Sequence, residues 1–98
     1  MRLRRTSHPL ADEELLEAAR YYERAEQGLG LAFLDPIDRT VDEVVEHPKA
    51  VPLITRTARR KLLKRFPYAV IYSLPEGRVR VLAIAHLKRR PFYWRRRS

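Results

Sequence analysis

His86, Arg65, Arg80 and Tyr93 are the side chains of this 98-residue chain whose types could do chemistry near neutral pH. Metal-free cleavage of a phosphodiester needs a base for a hydroxyl proton, cations around the phosphate that gains charge, and an acid for the leaving oxygen. His86 closes the run VRVLAIAH and could serve as base or acid; a strand-end histidine bonded to backbone is the plainer alternative. Arg65 and Arg80 could hold the phosphate or simply be solvated sheet residues. Tyr93 could donate a proton or pack with its hydroxyl at the surface. No two of the four stand at a spacing that fixes their mutual geometry, so the sequence alone assembles no catalytic group.

Other chemistries find less support. His8 and His47 each precede a proline at a helix boundary and have no second ligand at metal spacing, so no metal or other cofactor is expected. There is no cysteine, hence no disulfide, thiolate nucleophile or cysteine metal site, and a reducing cytoplasm is the simplest compartment. Gly28 and Gly30 follow a helix instead of opening one after a strand, so they form no phosphate loop. Asp12, Glu13, Glu14 and Glu17 read as helix-dipole and solubility residues, and Tyr21 and Tyr22 as helix packing. The apolar runs are too short to span a bilayer, and MRLRRTSHPLADEE has no apolar signal core.

Charge is the strongest compositional signal. Residues 1–48 carry six cations and eleven anions, 6 − 11 = −5, whereas residues 49–98 carry fifteen cations and the single anion Glu76, 15 − 1 = +14; together they give the net +9. Such a field attracts phosphates or an acidic protein without choosing between them. The ending HLKRRPFYWRRRS interleaves cations with Phe92, Tyr93 and Trp94. Three consecutive aromatics cannot all face one stacking platform, so at least one is expected to dock the tail onto the body while arginines project toward a partner. Arg60, Lys61, Lys88, Arg89, Arg90, Trp94, Arg95 and Arg96 are the expected partner-binding residues.

These residues must be positioned by a single domain over residues 1–98. Ala11, Leu15, Ala18, Ala19 and Tyr22 recur at helical spacing, with Ser7 as a possible cap, Pro9 in the first turn, and Gln27, Gly28 and Gly30 as breakers. Leu34, Ile37, Val41, Val44 and Val45 form a second stripe ending at His47-Pro48, with a break or kink expected at Asp35-Pro36. RRKLLKRF, YAVIYSL and RVRVLAIAHL then read as an antiparallel meander turning at PEGR. The last strand is apolar on both faces, Val79, Val81, Ala83 and Ala85 on one and Leu82 and Ile84 on the other, so it belongs at the centre. MRLRRT reads as a short edge strand. The fold class is α+β: an amino-terminal helical hairpin on one face of a small antiparallel sheet, ordered β-α-α-β-β-β, with a basic carboxy-terminal tail. Leu15, Ala19, Tyr22, Leu34, Ile37, Val41 and Val44 are expected to be buried.

In this layout, HPLADEELLEAARYYE, GLGLAFLD, RRKLLKRFPYAVIYSL and VRVLAIAHLKRRPFYW resemble, in order and spacing, the RelE/ParE superfamily of toxins from bacterial type II toxin–antitoxin systems, also called plasmid stabilisation proteins. The resemblance covers nearly the whole chain; FPY and AHLKRRPFYW lean toward its ParE-like side. It implies a cytoplasmic growth inhibitor held in check by a cognate antitoxin, in homo- or hetero-oligomeric assemblies and without a membrane. ParE-like members poison DNA gyrase by binding it, whereas RelE-like members cleave messenger RNA on the ribosome. The latter role would draw on Arg65, Arg80, His86 and Tyr93. A plain nucleic-acid-binding module is a third reading, supported by charge alone.

Overall fold

The structure is a computed structural model and describes residues 3–98. Met1 and Arg2, the start of the expected first strand, lie outside the described residues. The elements follow the expected order: β1 (Arg4–Ser7), α1 (Pro9–Ala25), α2 (Leu29–Glu46), β2 (Ala58–Leu62), β3 (Tyr68–Ser73) and β4 (Arg78–His86). The helices cover one face of a four-stranded sheet ordered β1-β4-β3-β2, with β4 inside it as its two apolar faces require. β2, β3 and β4 form the antiparallel meander. β1 differs: it lies parallel to β4, Arg4 opposite Arg78 and Ser7 opposite Val81, so the sheet is mixed. Parallel neighbours need a long crossover, which everything between β1 and β4 supplies.

Three local expectations are corrected. His8, not Ser7, caps α1, its Nδ1 accepting from the Leu10 N–H at 3.0 Å, while the Ser7 hydroxyl donates to Asp12 Oδ1 at 2.6 Å. Gly30 does not break a helix. It lies inside α2, where an added Cβ would stand 2.8 Å from the Ala19 carbonyl oxygen, so its missing side chain lets the two helices approach. Gly28 makes the turn, at φ 87°, where other residues are strained. It offers no side-chain cap, and Glu23 of α1 replaces one by accepting from the Gly28 and Gly30 N–H groups at 3.0 Å each.

The third correction is at Asp35-Pro36, where the break that was one of the two expected outcomes does not occur and α2 continues from Leu29 to Glu46. Pro36 leaves the Ala32 carbonyl without its usual donor, a cost of about 3 kcal/mol with the ring clash. Asp35 caps nothing; it pairs with Arg39 at 2.6 Å. Breaking the helix would misalign Phe33, Ile37, Val41, Val44 and Val45, all buried on one stripe, and each such side chain contributes about 1.5–3 kcal/mol when buried. Packing therefore outweighs the proline. Of the residues expected inside, Ala19, Ile37, Val41 and Val44 are buried, and Leu15, Tyr22 and Leu34 are half-buried against the same core. Tyr22, Phe33, Phe66 and Tyr68 close it as an aromatic cluster, with Phe33 and Tyr68 centroids 4.9 Å apart.

β4 contains one irregularity. Ala83 is opposite Ile71 but Val81 is opposite Tyr72, which makes Leu82 an extra residue. A bulge of this kind reverses the alternation of faces beyond it. Val79, Val81 and Ile84 consequently join the helix-side core, while Leu82, Ala83 and Ala85 form a second core on the outer face with Ala58, Ala69, Ile71 and Trp94. Regular alternation had placed Ala83 and Ala85 with Val79 and Val81.

Gly30→Ala is expected to destabilise the fold by about 1–3 kcal/mol through overpacking against α1. Urea denaturation of the two proteins measures this as a lower midpoint at unchanged slope.

Candidate functional site

β1 ends at Ser7, so beyond Val81 the flank of β4 has no neighbouring strand. Glu14 and Arg97 take its place. The Glu14 carboxylate accepts from the Ile84 N–H (3.1 Å), the Tyr93 hydroxyl (2.9 Å) and both terminal nitrogens of Arg97 (2.9 and 3.0 Å), and Arg97 also donates to the Leu82 carbonyl (3.1 Å). The side chains of Arg97 and Glu14 are 12% and 13% exposed. A bidentate pair so shielded is costly to break from one side, about 3–5 kcal/mol, because the partner charge is left uncompensated. Residues from α1, β4 and the tail thus meet at one carboxylate.

The rest of the tail follows from this clamp. Tyr93 has the Arg89 guanidinium 3.8 Å from its ring centroid and that of Arg97 at 5.2 Å. Trp94 is 5% exposed and lies against the outer-face core. Phe92 adopts φ 59°, the left-handed region that non-glycine residues seldom enter, and turns the tail so that Trp94 can reach the sheet. Burial first, then the hydrogen bond to Glu14 and the Glu14 charge, push the Tyr93 phenol far above its ordinary range; Arg89 and Arg97 only partly oppose this. A phenol so held is a poor acid at neutral pH.

Between tail and sheet lies a cleft of about 390 Å³. Ala69, Ile71 and Ala85 line it opposite Phe92, Tyr93 and Trp94, with Arg60, His86, Arg89 and Arg90 as its polar members. Here Nδ1 of His86 accepts from the Lys88 N–H at 3.0 Å, and its ring meets that of Tyr68 edge-on at 5.0 Å. The neutral imidazole therefore carries its proton on Nε2.

The four candidate catalytic residues are only partly gathered. His86 and Tyr93 share the cleft; Arg80 lines a different groove and donates to the Ser7 carbonyl at 3.0 Å. Arg65 is exposed in the β2–β3 turn, 5.9 Å from the Phe66 centroid. The expected partner-binding residues divide as well. Lys88, Arg89, Arg90, Arg95 and Arg96 are exposed on the tail, and Arg60 lies on the rim of the cleft. Lys61 points the other way, toward Glu43 at 3.4 Å, because neighbours on a strand face opposite sides. Trp94 is an anchor beneath the tail and not part of its outer surface. The sequence reading missed Glu14 and Arg97. Its available signal was position: Glu14 falls between Ala11 and Ala18 at three- and four-residue spacing, an acid on a buried stripe. Among the described residues no group of three or more His, Cys, Asp or Glu could hold a metal, and no helix is long and apolar enough to cross a membrane.

A helical hairpin on a bulged four-stranded sheet, carrying a clamped cationic tail, makes this a small α+β domain. The chain belongs to the ParE toxin family: the family model described as "ParE toxin of type II toxin-antitoxin system, parDE" matches residues 7–91. The fold is similar to that of a chain in the solved chromosomal ParDE TA system from P. aeruginosa, with a TM-score of 0.75 and 17% identity over 86% of this chain and 95% of that one. No curated protein matches the sequence.

Removing the clamp should be visible in Tyr93. Since its pKa is raised on folding, the stability it contributes is complete below pH ~10, the unfolded value, and is lost as pH rises through the folded one. In Glu14→Ala two of the causes disappear, so phenolate absorbance should develop at lower pH than in the parent, while Tyr93→Phe should delete that transition.

Proposed function

We propose that this toxin arrests growth by binding DNA gyrase through the outer surface of its tail, without catalysis, and that a cognate antitoxin neutralises it. The observation that carries this reading is the clamp. Glu14, Trp94 and Arg97 hold the tail rigid while Lys88, Arg90, Arg95 and Arg96 remain exposed. A binding inhibitor needs a fixed charged surface, and fixing it beforehand lowers the ordering cost of association. A nuclease instead needs base, acid and phosphate-holding cations within hydrogen-bond reach of one another. Here Arg80 and Arg65 lie apart from His86, and Tyr93 is committed to Glu14. The toxin would meet its target in the cytoplasm.

The antitoxin reading rests on the family and on charge. An acidic segment, disordered when free, would neutralise the basic half of the chain while covering exposed apolar side chains of the helical hairpin such as Leu16 and Leu31. Calorimetry with the product of the adjacent reading frame should give micromolar or tighter binding; absence of heat at those concentrations would remove the support for it.

For the target, Arg90→Glu with Arg96→Glu should raise the concentration needed to inhibit gyrase supercoiling about tenfold or more, equivalent to ~1.4 kcal/mol. His86→Ala should leave it unchanged. If His86→Ala abolished growth arrest, the charge-reversed tail stayed toxic and transcript ends showed new cleavage sites, the endoribonuclease reading would replace this one.

A further inference from the structure

The outer face of the sheet carries a second concavity of about 880 Å³, away from the tail cleft. Arg78 and Arg80 alternate with the inward Val79 and Val81, so they project from the face opposite the helices. Folding brings Lys49, Arg56 and Arg59 beside them from the segment before β3, and Arg97 from the chain's end. Six cations line this groove and no acidic side chain does. In the sheet register Arg4 lies next to Arg78, which extends the cationic strip past the groove.

Glu14 answers Arg97, but gathering the other five cations in one groove works against folding by self-repulsion. Solubility does not require it, because cations spread over the surface would serve as well. A groove of this kind is matched to an external polyanion. Arg80 is held by the Ser7 carbonyl, Arg59 by the Val51 carbonyl and Arg97 by Glu14, giving a fixed charged bed. Arg56 and Arg78 are exposed.

We propose that this groove binds the phosphate backbone of duplex DNA, independently of base sequence. Five of its six cations are arginines; the fork of Arg97 is taken by Glu14, and those of the other four match phosphate oxygens two at a time. No aromatic side chain lines it, so it offers nothing on which an unpaired base could stack. That favours a duplex, in which the bases are already stacked. A rigid backbone also suits donors that the strand itself spaces, Arg78 and Arg80 being about 6.8 Å apart along β4, whereas an acidic peptide would lose ordering entropy on binding. The proposal does not depend on gyrase being the target.

The test uses the toxin alone with a short fluorescently labelled duplex of arbitrary sequence, read by anisotropy across a salt series. Binding should weaken with a log–log salt slope of about −3.5 to −4.5, as expected for four to five phosphate contacts. Arg56→Glu with Arg78→Glu should lower affinity at least tenfold and reduce the slope by about 2. Arg20→Glu with Arg24→Glu, on the exposed side of α1, makes the same change in net charge and should alter affinity no more than about twofold, the size of effect expected from screened distant charge. Thermal melting checks folding, and if the reversal pair is unfolded, Arg56→Gln with Arg78→Gln, which removes the same two contacts, replaces it with the same slope change of about 2. Equal losses from both pairs would overturn the proposal in favour of diffuse charge. Stronger binding of single-stranded DNA, or competition by polyglutamate as effective as by duplex, would overturn it in favour of a different occupant.

Discussion

One carboxylate organises the molecule. β4 is flanked by β1 for only four residues, after which the extra residue Leu82 turns backbone groups of Leu82 and Ile84 toward a flank with no strand. Unpaired edge groups in a partly buried position are costly. Glu14 from the first helix takes the Ile84 N–H, Arg97 takes the Leu82 carbonyl, and their mutual pairing completes the substitution. The edge is thereby blunted by side chains instead of by a further strand. The same contacts tie the first helix to the end of the chain.

The bulge also decides what the outer face can do. Because it reverses the alternation of β4, Ala83 and Ala85 emerge on the outer side beside Leu82 and form an apolar patch that Trp94 covers, while Arg78 and Arg80 before it leave a cationic groove uncovered. Without the extra residue, Ala83 and Ala85 would face the helices and Trp94 would have a different floor. Tail anchoring and the cleft around His86 follow from one inserted residue in a strand, whereas Arg80 and His86 stand toward opposite ends of β4, about 20 Å apart along it. That separation is why a set of catalytic residue types does not become a catalytic group.

Element order was legible in the sequence because it rests on periodicity, which local spacing records. The helical stripes, the meander and the central position of β4 were all of this kind. Features set by long-range pairing were not legible. The parallel placement of β1 depends on where a crossover returns, Leu82 looks like any apolar strand residue, and the continuity of α2 through Pro36 reflects burial that outweighs a local rule. At the site, the tail's anchoring could be foreseen from three adjacent aromatics, but the acid that holds it lies 83 residues from Arg97. Only its place on an apolar stripe marked it. Arg60 and Lys61, both expected to meet a partner, are divided by the pleat, Arg60 outward and Lys61 toward the helices.

The central claim is that gyrase would recognise a surface held in place, and not charge alone. Glu14→Ala separates these, since every cation of the tail is retained and the net charge becomes more positive, while the clamp is lost. The decisive measurement is gyrase supercoiling by purified protein titrated with the parent toxin and with this variant, after circular dichroism has confirmed that both keep their helical content. Strongly reduced inhibition by Glu14→Ala is the expected result. Equal or stronger inhibition would contradict it and leave the clamp a purely structural device.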